Sequence, residues 1–407
     1  MQYRSYPYRW VILFCVCPIL AVTQIFWLTF SAISPEAVVF YHTSSLSIAF
    51  LSMSFMIVYI IMMIPASLLA DRKGLRASFI FGAVVTAVFG LLRAFCANSF
   101  TLVVLAQMGM AIAQPFLVNS ITKLAAVWFP VDERATASGI ASVAGYLGII
   151  VAMVATPTLY HAYSMQGMLQ VYGYIAVAAA LLVIVLLKEN PKIPAGPRGD
   201  VDENFSIRKI PELRGNKNFV WLLLVVFIAL GVFNALLTCI SDMLSPRGLS
   251  IDQSGLIGGI IIVAGLLGGI VVPLLSDKLK KRRILLMISI LFALIGMLGL
   301  SYINNYTALL IFAGITGFFL MGVGPMVFQF GTEIAYPVPE GTAYGLLMGS
   351  GQVSGIIFIV LLYVLRSSNG LMTLPLTILM ALMIVAFIFT LRVKESALIQ
   401  SSLEEDE

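Results

Sequence analysis

Leu68-Leu69-Ala70-Asp71-Arg72 and Leu274-Leu275-Ser276-Asp277-Lys278 are two copies of one short signature, set 206 positions apart. The first copy follows the second long apolar block of the chain, and the second follows the eighth. Another pair keeps nearly the same register: Pro130, Val131 and Glu133 recur as Pro337, Val338 and Glu340, 207 positions on. Around these anchors the chain resolves into twelve apolar blocks, six in each of two similar halves. Self-similarity over a whole half-chain is a statement about architecture before it is one about any residue.

The blocks are predicted near 10–33, 44–70, 77–97, 100–128, 134–157, 168–188, 218–241, 252–275, 284–303, 307–332, 342–363 and 371–391. Each is about the 20 residues a helix needs to cross a hydrocarbon core. They are continuously apolar where barrel strands would alternate, so helices are expected, all of whose backbone polar groups are satisfied within the segment. Composition agrees. The chain of 407 residues is 60% hydrophobic and only 11% charged, with a mean hydropathy of +1.02. A soluble domain is about 45–50% apolar and about 25% charged. The fold class is therefore an all-α membrane protein of twelve spanning helices, built as two six-helix parallel repeats. The first block carries no small-residue cleavage site and reads as a retained helix.

Residues 1–188 form the N-terminal half and 218–392 the C-terminal half. Between them, 189–217 is a polar cytoplasmic linker, and 393–407 is an acidic cytoplasmic tail. The net charge of +5 carries less information than its placement. With the N-terminus inside, only Arg93, Arg247 and Arg366 fall on the outer side, and Arg93 is expected to snorkel to that interface. The asymmetry puts both termini in the cytoplasm. The chain suits a plasma (inner) membrane, with the lipid bilayer as its partner, no nucleic acid, and a monomeric state.

Two parallel six-helix repeats are the plan of a secondary transporter. No nucleotide-binding loop, nucleophile–base pair or paired carboxylates occur, so neither ATP-driven transport by this chain nor an enzyme is expected. No metal-ligand spacing links the four cysteines and two histidines, and no cofactor is implied.

Asp71, Arg72, Gly74 and Arg76 form a tight cytoplasmic turn, with Asp277 and Lys278 as their counterparts. A carboxylate here is suited to the positive end of a helix in the other half. Asp71 is expected at the start of the eleventh helix near Gly341 and Thr342, and Asp277 at the start of the fifth near Arg134. Glu340, and Glu333 at the inner end of the tenth helix, complete the candidate gate. The bland reading is that the basic residues only set topology. Polar groups also occur inside the spans: Trp27 in the first, Gln114 in the fourth, Asn234 in the seventh and Gln352 in the eleventh. Each could be a helix–helix hydrogen bond. Together, on four helices that can surround a midplane cavity, they form a candidate substrate site. Gly139, Gly145 and Gly148 read as packing positions.

The paired loop signature resembles that of the major facilitator superfamily, with Ser67 and Pro273 where that pattern has glycine. A more specific resemblance lies in Trp27 to Ser34, in Val127-Trp128-Phe129-Pro130, and in Glu333-Ile334-Ala335-Tyr336-Pro337 followed by Glu340-Gly341-Thr342 and Gly345-Leu346-Leu347. These stretches resemble the feline leukaemia virus subgroup C receptor-related transporters, a family connected with choline, ethanolamine and haem. The resemblance implies a quaternary-ammonium site made of a first-helix Trp, a seventh-helix Tyr and two Gln. Trp27, Gln114 and Gln352 match three of these. Asn234 stands at the fourth, which removes one aromatic wall and opens the site to a more polar amine or an unrelated neutral solute. Haem has little support, since His42 and His161 fall at outer loops. Glu333, Asp242 and Glu36 all lie away from the centre, which favours a uniporter. A proton-linked carrier of another organic solute and a ligand sensor without flux are the rivals.

Overall fold

The computed structural model of the protein describes residues 4–130, 133–195 and 209–395, with the side chain of Asp71 outside that set. Two compact units divide the chain at residue 200. The N-terminal unit contains α1 (Tyr8–Ala32), α2 (Ser34–Tyr41), α3 (Ser45–Lys73), α4 (Leu75–Phe95), α5 (Phe100–Val118), α6 (Ile121–Trp128) and α7 (Arg134–Leu186). The C-terminal unit contains α8 (Ile210–Gly215), α9 (Lys217–Leu244), α10 (Ile251–Leu279), α11 (Arg282–Tyr302), α12 (Tyr306–Thr316), α13 (Gly324–Ala335), α14 (Glu340–Val364) and α15 (Thr373–Thr390).

Among the described residues, eleven helical segments are long and apolar enough to span a membrane, one fewer than the twelve blocks of the sequence. The difference lies in α7, whose 53 residues run through where a loop was expected between the fifth and sixth blocks. At about 1.5 Å per residue such a helix would be about 80 Å long, against a hydrocarbon core of about 30 Å. It is interrupted at Ser164, where φ is 60° and ψ −178°, and so counts as two crossings. The fold is the twelve-span arrangement, and the protein is an integral, multi-pass membrane protein.

The repeat governs local structure as well as hydropathy. Ser44 caps α3 and Ser250 caps α10, each hydroxyl accepting the amide N–H three residues on. Among the described residues, the left-handed positions are His42, Gly74, Ser164, Gly248, Lys280 and Gly370. They form three pairs, 42 with 248, 74 with 280 and 164 with 370, each 206 apart. Every pair holds one glycine and one residue that resists positive φ.

The shift from an offset of 206 to 207 also has a structural counterpart. The N-caps Ser99 and Asn305 still obey 206, whereas Pro130 and Pro337 obey 207. Between them, Gly317–Met321 is a π turn closed by Gly322 N–H donating to the Gly317 carbonyl. A π turn holds one extra residue inside an otherwise α-helical run. The second half thus absorbs the extra residue of this stretch within the tenth span, and the offset is 206 again at Ser164 and Gly370.

Close backbone packing fixes the helices that carry the candidate site. On α7, a Cβ at Gly148 would lie 2.1 Å from the Ala21 carbonyl oxygen of α1. In the other unit, a Cβ at Gly231 of α9 would lie 2.5 Å from Ser354 Oγ of α14. Glycine is what lets these helices touch. Gly145 meets only Gln24, and nothing lies within 4 Å of Gly139, so the packing role falls mainly to Gly148.

Candidate functional site

In the N-terminal unit, α1 presents Trp27, which is 9% exposed and whose indole N–H has no partner among the described residues. The backbone beneath it is held from two sides. Ser52 of α3 donates its hydroxyl to the Trp27 carbonyl at 2.8 Å, and Ser31 pairs with Ser52 at 2.9 Å. Gln107 of α5 donates its amide to the Phe26 carbonyl at 2.8 Å. Gln114, followed by Pro115, is half-buried on α5, and its amide makes no hydrogen bond among the described residues.

In the C-terminal unit, Asn234 of α9 is 8% exposed and donates Nδ2 to the Gly351 carbonyl of α14 at 3.2 Å. That bond sets Asn234 beside the turn that carries Gln352, the next residue. Gln352 is half-buried with an unpartnered amide among the described residues. Asn234 thus commits one amide hydrogen to helix packing, whereas the side-chain amides of Gln114 and Gln352 are uncommitted among the described residues. Asp242, further along α9, is buried and accepts the Tyr363 hydroxyl at 2.6 Å. It is the counterpart of Glu36 at an offset of 206.

Arg93 does not snorkel. It is fully buried, donates Nη1 to Gln107 Oε1 at 2.9 Å, and lies 4.4 Å from the Phe26 ring centroid and 5.5 Å from that of Phe30. The aromatic faces and the amide give a better berth than the short distance to the interface would.

At the proposed gate, Arg72 and Arg76 are exposed, and Gly74 has φ 94°. A Cβ at Gly74 would lie 2.3 Å from Glu189 Oε1, whose carboxylate accepts the amide N–H groups of Leu75 at 2.8 Å and Arg76 at 2.7 Å. Lys123 donates to the Ala70 carbonyl. The Asp71 side chain, expected at the start of the eleventh helix, lies outside the described residues. In the second copy, Arg282 pairs with Asp277 at 3.4 Å and binds Glu333 through two nitrogens at 2.7 and 2.9 Å. Lys278 and Glu340 are exposed, the latter in the first turn of α14. Arg134 starts α7 and donates Nε to the Phe129 carbonyl at 3.3 Å. Glu133 takes Arg9 in a two-point contact at 2.9 and 3.0 Å.

Several of these residues escaped the sequence reading. Glu395 accepts the N–H groups of Arg282 and Arg283, as Glu189 does for Leu75 and Arg76. The two glutamates are 206 apart in matching Lys-Glu pairs, Lys188-Glu189 and Lys394-Glu395. The repeat was signal enough to find them. Arg282 is likewise the counterpart of Arg76. No such signal marks Gln107.

The sequence profile described as Major Facilitator Superfamily matches residues 12–359. The chain belongs to the major facilitator superfamily. Within it, the chain is 30% identical over 376 residues to "Choline/ethanolamine transporter flvcr2b" of Danio rerio, covering 87% of this chain and 77% of that one. It is 30% identical over 353 residues to "Choline/ethanolamine transporter FLVCR2" of Homo sapiens, covering 82% and 67%. Among solved structures, a bacterial homolog of the human lysosomal transporter Spinster superposes with a TM-score of 0.76 at 16% identity, over 97% of this chain and 98% of that one. The fucose:proton symporter FucP in its outward conformation gives 0.65 at 17% identity, over 94% and 98%. The relatives are transporters, and this superfamily member is a secondary transporter of a small organic solute, not an enzyme.

Proposed function

We propose that the solute is a small cationic amino alcohol of the choline or ethanolamine type, moved by uniport. The observation that carries this reading is Trp27: a nearly buried indole, its N–H without a partner among the described residues, whose ring face suits an ammonium and whose N–H suits a hydroxyl oxygen, on a helix whose backbone is braced around it. An ammonium over an indole face gains about 0.5–2 kcal/mol, depending on desolvation. The spare amides of Gln114 and Gln352 suit a hydroxyl group. The names of the relatives support the same class.

In this proposal Trp27, Gln114, Asn234 and Gln352 face a common midplane site. The two halves rock about it, and Asp71, Asp277 and their basic neighbours hold the cytoplasmic side in one state. Both termini are cytoplasmic, the membrane is the plasma (inner) membrane, and the carrier acts as a monomer. Uptake of labelled choline and ethanolamine into proteoliposomes tests it, with and without an imposed pH gradient. Saturable uptake indifferent to the gradient, and lost in Trp27→Ala and Gln352→Ala, is the expected result. Wild-type uptake in both variants would remove the site. Concentrative uptake driven by the gradient would favour the proton-linked alternative, for which Asp242 with its Tyr363 hydrogen bond is the group in place. Saturable binding with no flux would instead indicate a sensor.

A further inference from the structure

Arg93 is the one fully buried arginine of the N-terminal unit among the described residues. Its Nε and Nη2 groups have no hydrogen-bond partner among the described residues. Burying a guanidinium costs several kcal/mol, and a packed apolar side chain would fill the same space at lower cost. Ionisable residues inside spans are for that reason read as functional first. The contacts of Arg93 lead to one place. It holds Gln107, which is itself fully buried, by its side-chain oxygen. That orients the Gln107 nitrogen onto the Phe26 carbonyl. The guanidinium also covers the rings of Phe26 and Phe30, the residues one before and three after Trp27. From the opposite strand of contacts, Ser52 takes the Trp27 carbonyl. Two successive carbonyls of α1 thus each accept a side-chain hydrogen bond from another helix, immediately under the indole.

We propose that Arg93 and Gln107, with Ser52, are positioning residues that fix the rotation of α1 at Phe26–Trp27 and so present the indole to the amine. The inference rests on the reading that Trp27 binds the solute. Arg93 acts through Gln107 and touches no solute itself.

Charge and geometry predict opposite signs, which makes the idea testable. A buried positive charge near a cation site repels the cation, so cancelling that charge alone would tighten choline binding. Gln107→Glu gives Arg93 a counter-ion and keeps their contact, which favours folding. A carboxylate has no N–H for the Phe26 carbonyl, and two acceptors would then face each other.

The experiment measures choline affinity of purified full-length protein in detergent for Gln107→Glu, Ser52→Ala and Trp27→Ala, with thermal unfolding of each. Positioning predicts that Gln107→Glu unfolds at or above the wild-type temperature yet binds choline about tenfold more weakly, within the range seen for coupled networks. Ser52→Ala, a small change that leaves folding intact, should weaken binding about threefold on the same grounds. Trp27→Ala should lose binding altogether. Wild-type or tighter binding in Gln107→Glu, with Trp27→Ala inactive, overturns the positioning role and leaves the site reading standing. Should Gln107→Glu not fold, unchanged affinity in Ser52→Ala overturns it equally. Wild-type binding in Trp27→Ala overturns both.

Discussion

Replacing Ser164 with glycine should stabilise this transporter. Ser164 interrupts α7 at φ 60° and ψ −178°, a region occupied almost only by glycine. A residue with a Cβ held there costs about 1–3 kcal/mol. The side chain gives nothing in return, since it is exposed and makes no hydrogen bond among the described residues. Glycine removes the strain but has more freedom to lose on folding, an offset of about 0.5–1 kcal/mol. The net expectation is a gain of about 0.5–2 kcal/mol. For a unit of about 200 residues, 1 kcal/mol moves the unfolding midpoint by about 2–4 °C, so the midpoint should rise by about 1–8 °C. The repeat supplies the control: Gly370, the counterpart at φ 83°, should lose stability on conversion to serine. Thermal unfolding of the detergent-purified protein reads both. An unchanged or lower midpoint for Ser164→Gly would refute the argument, because it would mean that the serine side chain stabilises a conformation its backbone disfavours.

Glu189→Ala and Glu395→Ala should each cost about 1–2 kcal/mol as lost helix caps, by similar amounts because the two sites are repeats, with thermal unfolding as the measure. A large loss in one and none in the other would break the equivalence. Glu333→Gln, which strips Arg282 of its two-point partner, should destabilise the C-terminal unit by about 2–3 kcal/mol while uptake stays indifferent to a pH gradient, given that buried pairs lose about 3–5 kcal/mol when broken and Asp277 compensates in part. Gly148→Val should block folding or expression outright, since its Cβ has no room against the Ala21 carbonyl, and a monodisperse, folded variant would contradict the packing.

Much of the fold was legible because lipid leaves few options. Span-length apolar blocks specify helices, and the Asp71 and Asp277 turns fixed the order of the halves. The break between the fifth and sixth spans falls at Ser164, inside the expected connection at 158–167, but that connection is helical on both sides of it because Tyr163, Ser164 and Met165 carry neither proline nor glycine. The frame of the site was easier to read than its chemistry. Trp27 was visible as an aromatic at a useful depth, but its repeat counterpart is Phe233, so symmetry could not supply the second half of the lining. Arg93 went wrong for a physical reason. Proximity to a helix end suggests an interfacial charge, while the Gln107 amide and the Phe26 and Phe30 rings that receive it come from α5 and α1, which the local sequence does not announce.

The π turn at Gly317–Met321 has a practical consequence for anyone comparing or exchanging the two halves. A surplus residue at a helix end would leave the whole helix aligned, and one placed mid-helix without a bulge would turn every later side chain by about 100°. Looping it out confines the mismatch to a single turn. Counterparts are therefore found by adding 206 up to Asn305, 207 at Pro337 and Glu340, and 206 again at Gly370 and Glu395. A chimera, cross-linking pair or swapped substitution designed with one fixed offset would put its residues on the wrong face of the tenth span beyond Met321, and its failure would be misread as evidence about mechanism.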